Sequence, residues 1–359
     1  MPSGRPLVIC LVLLSRFVCW SSAEQSCFAL CSAPMARALR GLVCRPAAAR
    51  APRSAPQRQP WGQRVFLYEG RTGETGRRLT TSLQATATAG AQTRNADEEA
   101  VAVIVGGTRG IGLAIVRRLL VRFKGYIFVT GRTPGEAREL QQLMDLHPAR
   151  ITPLAVEVTD EASVAAAAAH IRALTGARVD LVVNTAGILH DVNEPASRGR
   201  MPERQLKDVS EEWLMHNFRV NTMGPLFVAK HLQDMLETKG PAAKKSKRAA
   251  AVFATLSARV GSIEDNRLGG WYSYRISKAA QNQLTRTAAL ELKRRGCIAC
   301  ALHPGTVKTG LSGPFQSNVK PEKLLSATQA ADMLLDVIDS LEESDAGSFF
   351  DYARQPIPW

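Results

Sequence analysis

Tyr274 and Lys278 stand four residues apart in the stretch Tyr274-Arg275-Ile276-Ser277-Lys278, which opens a long helical pattern continuing from Ala279 to Leu284. Positions i and i+4 share a helix face, so a phenol and an ammonium point toward one cleft. A cation beside a phenol stabilises the phenolate and draws its pKa down from about 10, which makes a tyrosine a usable proton donor or acceptor. A second cluster lies far upstream. The apolar run Val103-Ile104-Val105 feeds Gly106-Gly107-Thr108-Arg109-Gly110-Ile111-Gly112, glycines spaced G-x-x-x-G-x-G ahead of an amphipathic segment. Glycines let the backbone turn sharply and approach a pyrophosphate, while the next helix offers free N–H groups and the positive end of its dipole. Together the two clusters predict acid–base chemistry beside a bound dinucleotide.

Such groups need a frame, and the pattern around them supplies one. Val101–Val105, Tyr126–Thr130, Ile151–Val156, Val179–Val183, Ala250–Leu256, Cys297–Leu302 and Ser348–Phe350 read as strands, with helical stretches between most of them. Continuous apolar strands alternating with helices predict an α/β fold: one doubly wound parallel sheet with helices on both faces, of Rossmann type. Its ligands sit at the carboxyl ends of the strands. Ser210 ahead of Glu211 and Glu212 reads as a helix N-cap, and Ala165–Ala169 as helix interior. Residues 240–248, with their run of lysines and an arginine, read as a solvated loop.

The chain of 359 residues carries a formal charge of +14, but 13 arginines against Glu24, Glu69 and Glu74 place +10 of it in residues 1–96. The remaining +4 does not support binding of nucleic acid through bulk charge. Arg5 ahead of the apolar run Leu7–Leu14, followed by Ser21-Ser22-Ala23, resembles a secretory signal, and Ala33–Thr80 is rich in Arg, Ala and Pro and poor in acids. Residues 1–96 are therefore expected to be a leader, signal plus transit peptide in series, addressed to a plastid, with a mitochondrion as the alternative. No membrane span is expected in the mature chain. Five of seven cysteines fall in the leader, leaving Cys297 and Cys300, whose spacing on a strand puts them on opposite faces and argues against a redox or zinc pair.

The order of these motifs resembles the short-chain dehydrogenase/reductase family, within it the branch of C-factor-like and sniffer-like carbonyl reductases. The resemblance spans Val101–Trp359. It is most specific in Leu256-Ser257-Ala258-Arg259-Val260-Gly261-Ser262 running on to Trp271-Tyr272-Ser273-Tyr274, then in His303-Pro304-Gly305-Thr306-Val307-Lys308-Thr309 and the tail Ile357-Pro358-Trp359. It implies that residues 97–359 form the catalytic domain, commonly a homodimer or homotetramer, acting on a small-molecule carbonyl or alcohol. By this likeness Tyr274 is the proton donor, Lys278 lowers its pKa, and Asn221 supports proton resupply. Cofactor contacts would come from Gly106, Thr108, Arg109, Gly110, Ile111, Gly112, Asn184, Ala186, Gly187, Tyr274, Lys278, Pro304, Gly305, Thr306 and Thr309.

No acid ends the second strand, where Arg132 stands instead, and Arg109 lies in the glycine turn; arginine favours a 2′-phosphate, which predicts NADP(H) over NAD(H). Departures from the family pattern bear on activity. The Ser-Ser pair common at the end of the fifth strand is Ser257-Ala258, so the hydrogen bond to a substrate oxygen must come from Ser257 or Ser262. The aspartate usual after the third strand is Glu157 in an ungapped alignment. The loops Leu189–Lys207 and Leu311–Lys320 are expected to border the substrate pocket. An alternative function stays open: a nucleotide-binding signalling or interaction protein of the C-factor type, with weak or no catalysis.

Overall fold

All seven apolar runs pair into one parallel sheet. The computed structural model describes residues 88–191, 201–239 and 249–359; the expected signal and transit segments and the basic loop 240–248 lie outside these. In chain order the elements are α1 (Ala89–Ala96), β1 (Val101–Val105), α2 (Gly110–Arg122), β2 (Tyr126–Gly131), α3 (Arg138–Leu146), β3 (Ile151–Ala155), α4 (Glu161–Thr175), β4 (Leu181–Asn184), α5 (Glu211–Phe218), α6 (Gly224–Leu232), β5 (Ala251–Leu256), α7 (Tyr272–Leu292), β6 (Cys297–His303), β7 (Thr306–Val307), β8 (Leu324–Leu325), α8 (Ala327–Asp339) and β9 (Phe349–Asp351). The large sheet runs β3-β2-β1-β4-β5-β6-β9, while β7 and β8 pair separately. The expected strand bounds hold to within two residues.

Alternation along β1 shows why the run is apolar throughout. Ala102 and Ile104 face one core with α2, α3 and α8, through Ile115, Leu119, Leu140, Leu334 and Ile338. Val101, Val103 and Val105 face a second core with α4, α6 and α7, through Val164, Ile171, Leu232 and Leu292. A strand covered on both faces has no position at which water rewards a polar side chain. Cys300 joins the first core and Cys297 the second, on opposite faces as expected. Ser210 caps α5 by accepting from Trp213 N at 3.3 Å.

Helix α1 lies inside the stretch expected to be leader. Thr88 caps it and donates to the Asp339 carbonyl through both its backbone N–H and its hydroxyl, each at 3.1 Å. Buried Arg94 meets the Asp339 carboxylate at 2.8 Å, and Asn95 and Arg122 reach the same group at 3.1 and 2.7 Å. The folded body thus begins ahead of Asp97. Its arginine belongs to the core, where an opposite charge 245 residues away satisfies it.

Candidate active site

The chain proceeds from β1 outward to β2 and β3, then returns to place β4 on the other side of β1. Connections leaving β1 and β4 diverge at their carboxyl ends and open a crevice there. The glycine turn lies in it. Gly110 takes φ +57° as the first residue of α2, with the Thr309 methyl 3.5 Å from where a side chain would project. A side chain on Gly112 would strike the Gly106 carbonyl at 2.4 Å, so the turn closes only with glycine there. Arg109 precedes the helix without a side-chain cap, leaving the first N–H groups of α2 free for an anion.

Around the turn, Thr108 packs on Gly131 at the end of β2, Ala186 on Gly106, and Gly187 near Asn221 and Lys278. Ile111 packs into the first core. Arg109 and Arg132 are exposed, and among the described residues neither forms an ion pair, whereas Arg117 is paired with Glu139 at 2.5 Å. Asn184, at the end of β4, is buried with both amide atoms unpartnered, as is the Thr130 hydroxyl. Pro304, Gly305 (φ +76°) and Thr306 leave β6 directly, and Thr306 begins the short β7. This cradle fits a dinucleotide: glycines where a backbone must come close, free amides at a helix start, and two unpaired cations beyond them.

Tyr274 and Lys278 lie on α7 as the spacing predicts, 7% and 3% exposed. The Lys278 ammonium is 5.8 Å from the Tyr274 ring centre. It donates to the Leu256 carbonyl at 2.9 Å and to Gln281 Oε1 at 2.8 Å. Gln281 is fully buried and also donates to the Leu256 carbonyl, at 3.2 Å. Burial pushes the Tyr274 phenol above its ordinary value and brings Lys278 down to about 7. The expected lowering of the phenol by its neighbour is thus reversed in the free protein, because desolvation of the ring outweighs a cation already engaged elsewhere.

Asn221 sits in a π-helical turn, Arg219–Met223, inserted between α5 and α6. Its amide donates to the Ile188 carbonyl and to Ser277 Oγ, each at 2.9 Å, and its Oδ1 accepts from Ile188 N at 2.8 Å. Ser277 in turn donates to the Tyr274 carbonyl at 2.8 Å. A π turn changes the angular register of side chains and is a frequent mark of a functional site. Here it ties the β4 loop to α7.

Neither expected serine has a hydroxyl proton free for a substrate. Ser257 donates to Asn282 Oδ1 at 2.6 Å; Ser262 reaches the Trp359 carbonyl at 3.3 Å and accepts from Asp265 N at 3.0 Å. Both are buried. The reason is local: one residue along an extended strand end reverses the side chain's direction, so Ser257 faces α7 while the neighbouring position holds only the methyl of Ala258.

Sequence reasoning missed four further residues. Gln281 lies three positions after Lys278, a spacing that shares a face and was open to inspection. Trp271, Phe315 and His190 carried no such signal: His190 Nε2 meets the Gly310 and Leu311 carbonyls at 3.2 and 3.0 Å, joining the two loops expected to border the pocket.

Residues 100–320 match the family model described as short chain dehydrogenase. The chain belongs to the short chain dehydrogenase family. Among curated relatives of this dehydrogenase, the C-signal of Myxococcus xanthus is 33% identical over 154 residues, 43% of this chain and 83% of its own. The NADPH-bound carbonyl reductase from chicken fatty liver superposes with a TM-score of 0.63 at 29% identity, covering 72% of this chain and 94% of that one. Carbonyl reductase Sniffer of D. melanogaster gives 0.63 at 25% identity, over 73% and 100%. Among the described residues no helix of this short chain dehydrogenase is long and apolar enough to cross a membrane.

Proposed function

We propose that this protein is an NADP(H)-dependent carbonyl reductase, converting an aldehyde or ketone to the alcohol. The observation that carries this reading is Tyr274, buried and held protonated one helical turn before the buried Lys278. When bound, a dihydronicotinamide supplies the hydride to the carbonyl carbon. Tyr274 donates its proton to the carbonyl oxygen, and the Lys278 ammonium stabilises the phenolate left behind. In this reading Asn221, which bonds the Ile188 carbonyl of the β4 loop and Ser277 Oγ, supports the return of a proton to that pair.

Preference for NADP(H) over NAD(H) is supported by unpaired Arg109 and Arg132 beside the turn and by the NADPH-bound chicken reductase. With Ser257 and Ser262 engaged elsewhere, Tyr274 is the hydroxyl left to meet the substrate oxygen. The test follows NADPH oxidation over a panel of aldehydes, ketones and quinones. Tyr274→Phe should lower kcat by at least about a hundredfold, the scale of a positioned general acid, while NADPH still binds. Unchanged turnover in that variant overturns the assignment.

A second reading, a nucleotide-binding signalling protein, is favoured by Ala258 and by the likeness to C-signal. NADPH binding without turnover of any carbonyl would select it. We also propose that the basic, acid-poor leader delivers the protein to a plastid, the mitochondrion being the alternative. A fluorescent protein fused behind residues 1–87 reports the compartment, and a cytosolic signal would refute both.

A further inference from the structure

Four rings touch in succession, starting from the Tyr274 phenol. Trp271 stands edge-on to Tyr274 with centroids 6.3 Å apart, Phe315 lies 4.9 Å from Trp271, and His190 lies 6.1 Å from Phe315. Tyr274 is buried, whereas Trp271, Phe315 and His190 each keep part of their surface exposed. A row that served only as core would be covered along its length; this one is covered at the reacting end and open beyond it.

The row is also held in place. Trp271 takes φ +53°, a left-handed conformation unusual for a bulky residue, and its N–H donates to the Glu203 carbonyl at 2.5 Å. The Glu203 carboxylate in turn accepts from Ser273 N at 3.2 Å and from the Ser273 hydroxyl. On the other side His190 bonds two carbonyls of the segment that carries Phe315, and Gln316 bonds the Thr309 carbonyl at 3.2 Å. Three chain segments are thus fixed so that Trp271 meets Tyr274, Phe315 meets Trp271, and His190 meets Phe315.

Building on the carbonyl reductase reading, we propose that Trp271 and Phe315 form a subsite for the skeleton of the substrate, and that the substrates are flat, conjugated carbonyl compounds such as aryl aldehydes and aryl ketones. Aromatic faces and edges attract a planar π-system through complementary quadrupoles, and a puckered aliphatic ring of the same size meets them with less contact. The carbonyl at the edge of the flat skeleton then reaches Tyr274. His190 is a positioning residue that keeps Phe315 in the row.

The test uses the full chain and a matched pair, benzaldehyde and cyclohexanecarbaldehyde. Trp271→Leu and Phe315→Ala should each lower the ratio of kcat/KM for the aryl over the alicyclic aldehyde by about two- to tenfold, the scale of one aromatic contact. Calorimetric titration of benzyl alcohol and cyclohexylmethanol into the NADP+ complex should show the same loss of preference without needing turnover. Melting temperature and NADPH affinity verify that each variant folds. Ratios unmoved in both variants overturn the subsite. If the protein turns over neither aldehyde, the alcohol titrations alone decide the subsite: a preference that depends on the two rings upholds it, none refutes it, and the missing turnover counts against the reductase reading.

Discussion

The Lys278 ammonium donates to the side-chain oxygen of Gln281, 2.8 Å away on the next turn of α7. Both groups are buried, so this contact helps set how readily the lysine keeps its charge. A neutral acceptor favours the ammonium. Gln281→Leu removes it and should move the alkaline fall of kcat/KM to lower pH by about one unit, in keeping with roughly 1.5 kcal/mol for a hydrogen bond to a charged group. Gln281→Glu should move it the other way. A profile unmoved by both variants would show that Lys278 is held by the Leu256 carbonyl alone.

The burial of Lys278 also leaves a mark on stability. Its folded value of about 7 lies below the ordinary 10.5, so between these the unfolded chain binds more protons. Through this group stability rises with pH across that window, and below about pH 7 the cost of burying the charge is fully present. Lys278→Met removes the titration. The wild-type melting temperature should therefore gain on that of Lys278→Met between pH 7 and 10, and parallel curves would refute a depressed lysine.

The direction of the Ser257 hydroxyl leads to a third expectation. Ser257→Ala breaks a buried hydrogen bond to Asn282 and should lower stability by about 1 kcal/mol, with little effect on turnover. Ala258→Ser adds a hydroxyl one position on, where the family commonly carries one, and should raise turnover. Loss of turnover in Ser257→Ala greater than tenfold would return the carbonyl contact to Ser257.

Docking of α1 rests on Asp339, which accepts from Arg94, Asn95 and Arg122. Asp339→Ala leaves the buried Arg94 guanidinium uncompensated, and the expected cost is about 3–5 kcal/mol. For a domain of this size that is a drop in melting temperature of roughly 10 °C. Replacing both partners by apolar residues, Arg94→Met with Asp339→Leu, should recover most of it. A single variant as stable as the wild type would mean that α1 contributes nothing to the fold.

Much of this architecture was legible along the chain. Seven apolar runs became seven strands because β-strands covered on both faces admit no polar alternation. Tyr274 and Lys278 came together because α7 makes i and i+4 neighbours. The glycine turn was readable for the same kind of reason: steric permission at Gly110 and Gly112 is a property of those residues. Helix α1 was not legible, since an arginine-containing stretch next to a basic, acid-poor one reads as part of the expected leader until Asp339 is folded against it.

By itself the sequence determined which groups share an element: the phenol and ammonium on one helix, the glycines between β1 and α2, the cysteines on opposite faces of β6. Helical and strand periodicity act over a few residues, and no distant partner can change them. Only the tertiary structure decided what each group faces. It turned Ser257 toward Asn282, gave the charge of Lys278 to Gln281 and the Leu256 carbonyl, raised the Tyr274 phenol by burial, and set Phe315 beside Trp271. Hydrogen-bond direction and desolvation depend on atoms that segments far apart in the chain bring together, and no spacing along one segment contains them.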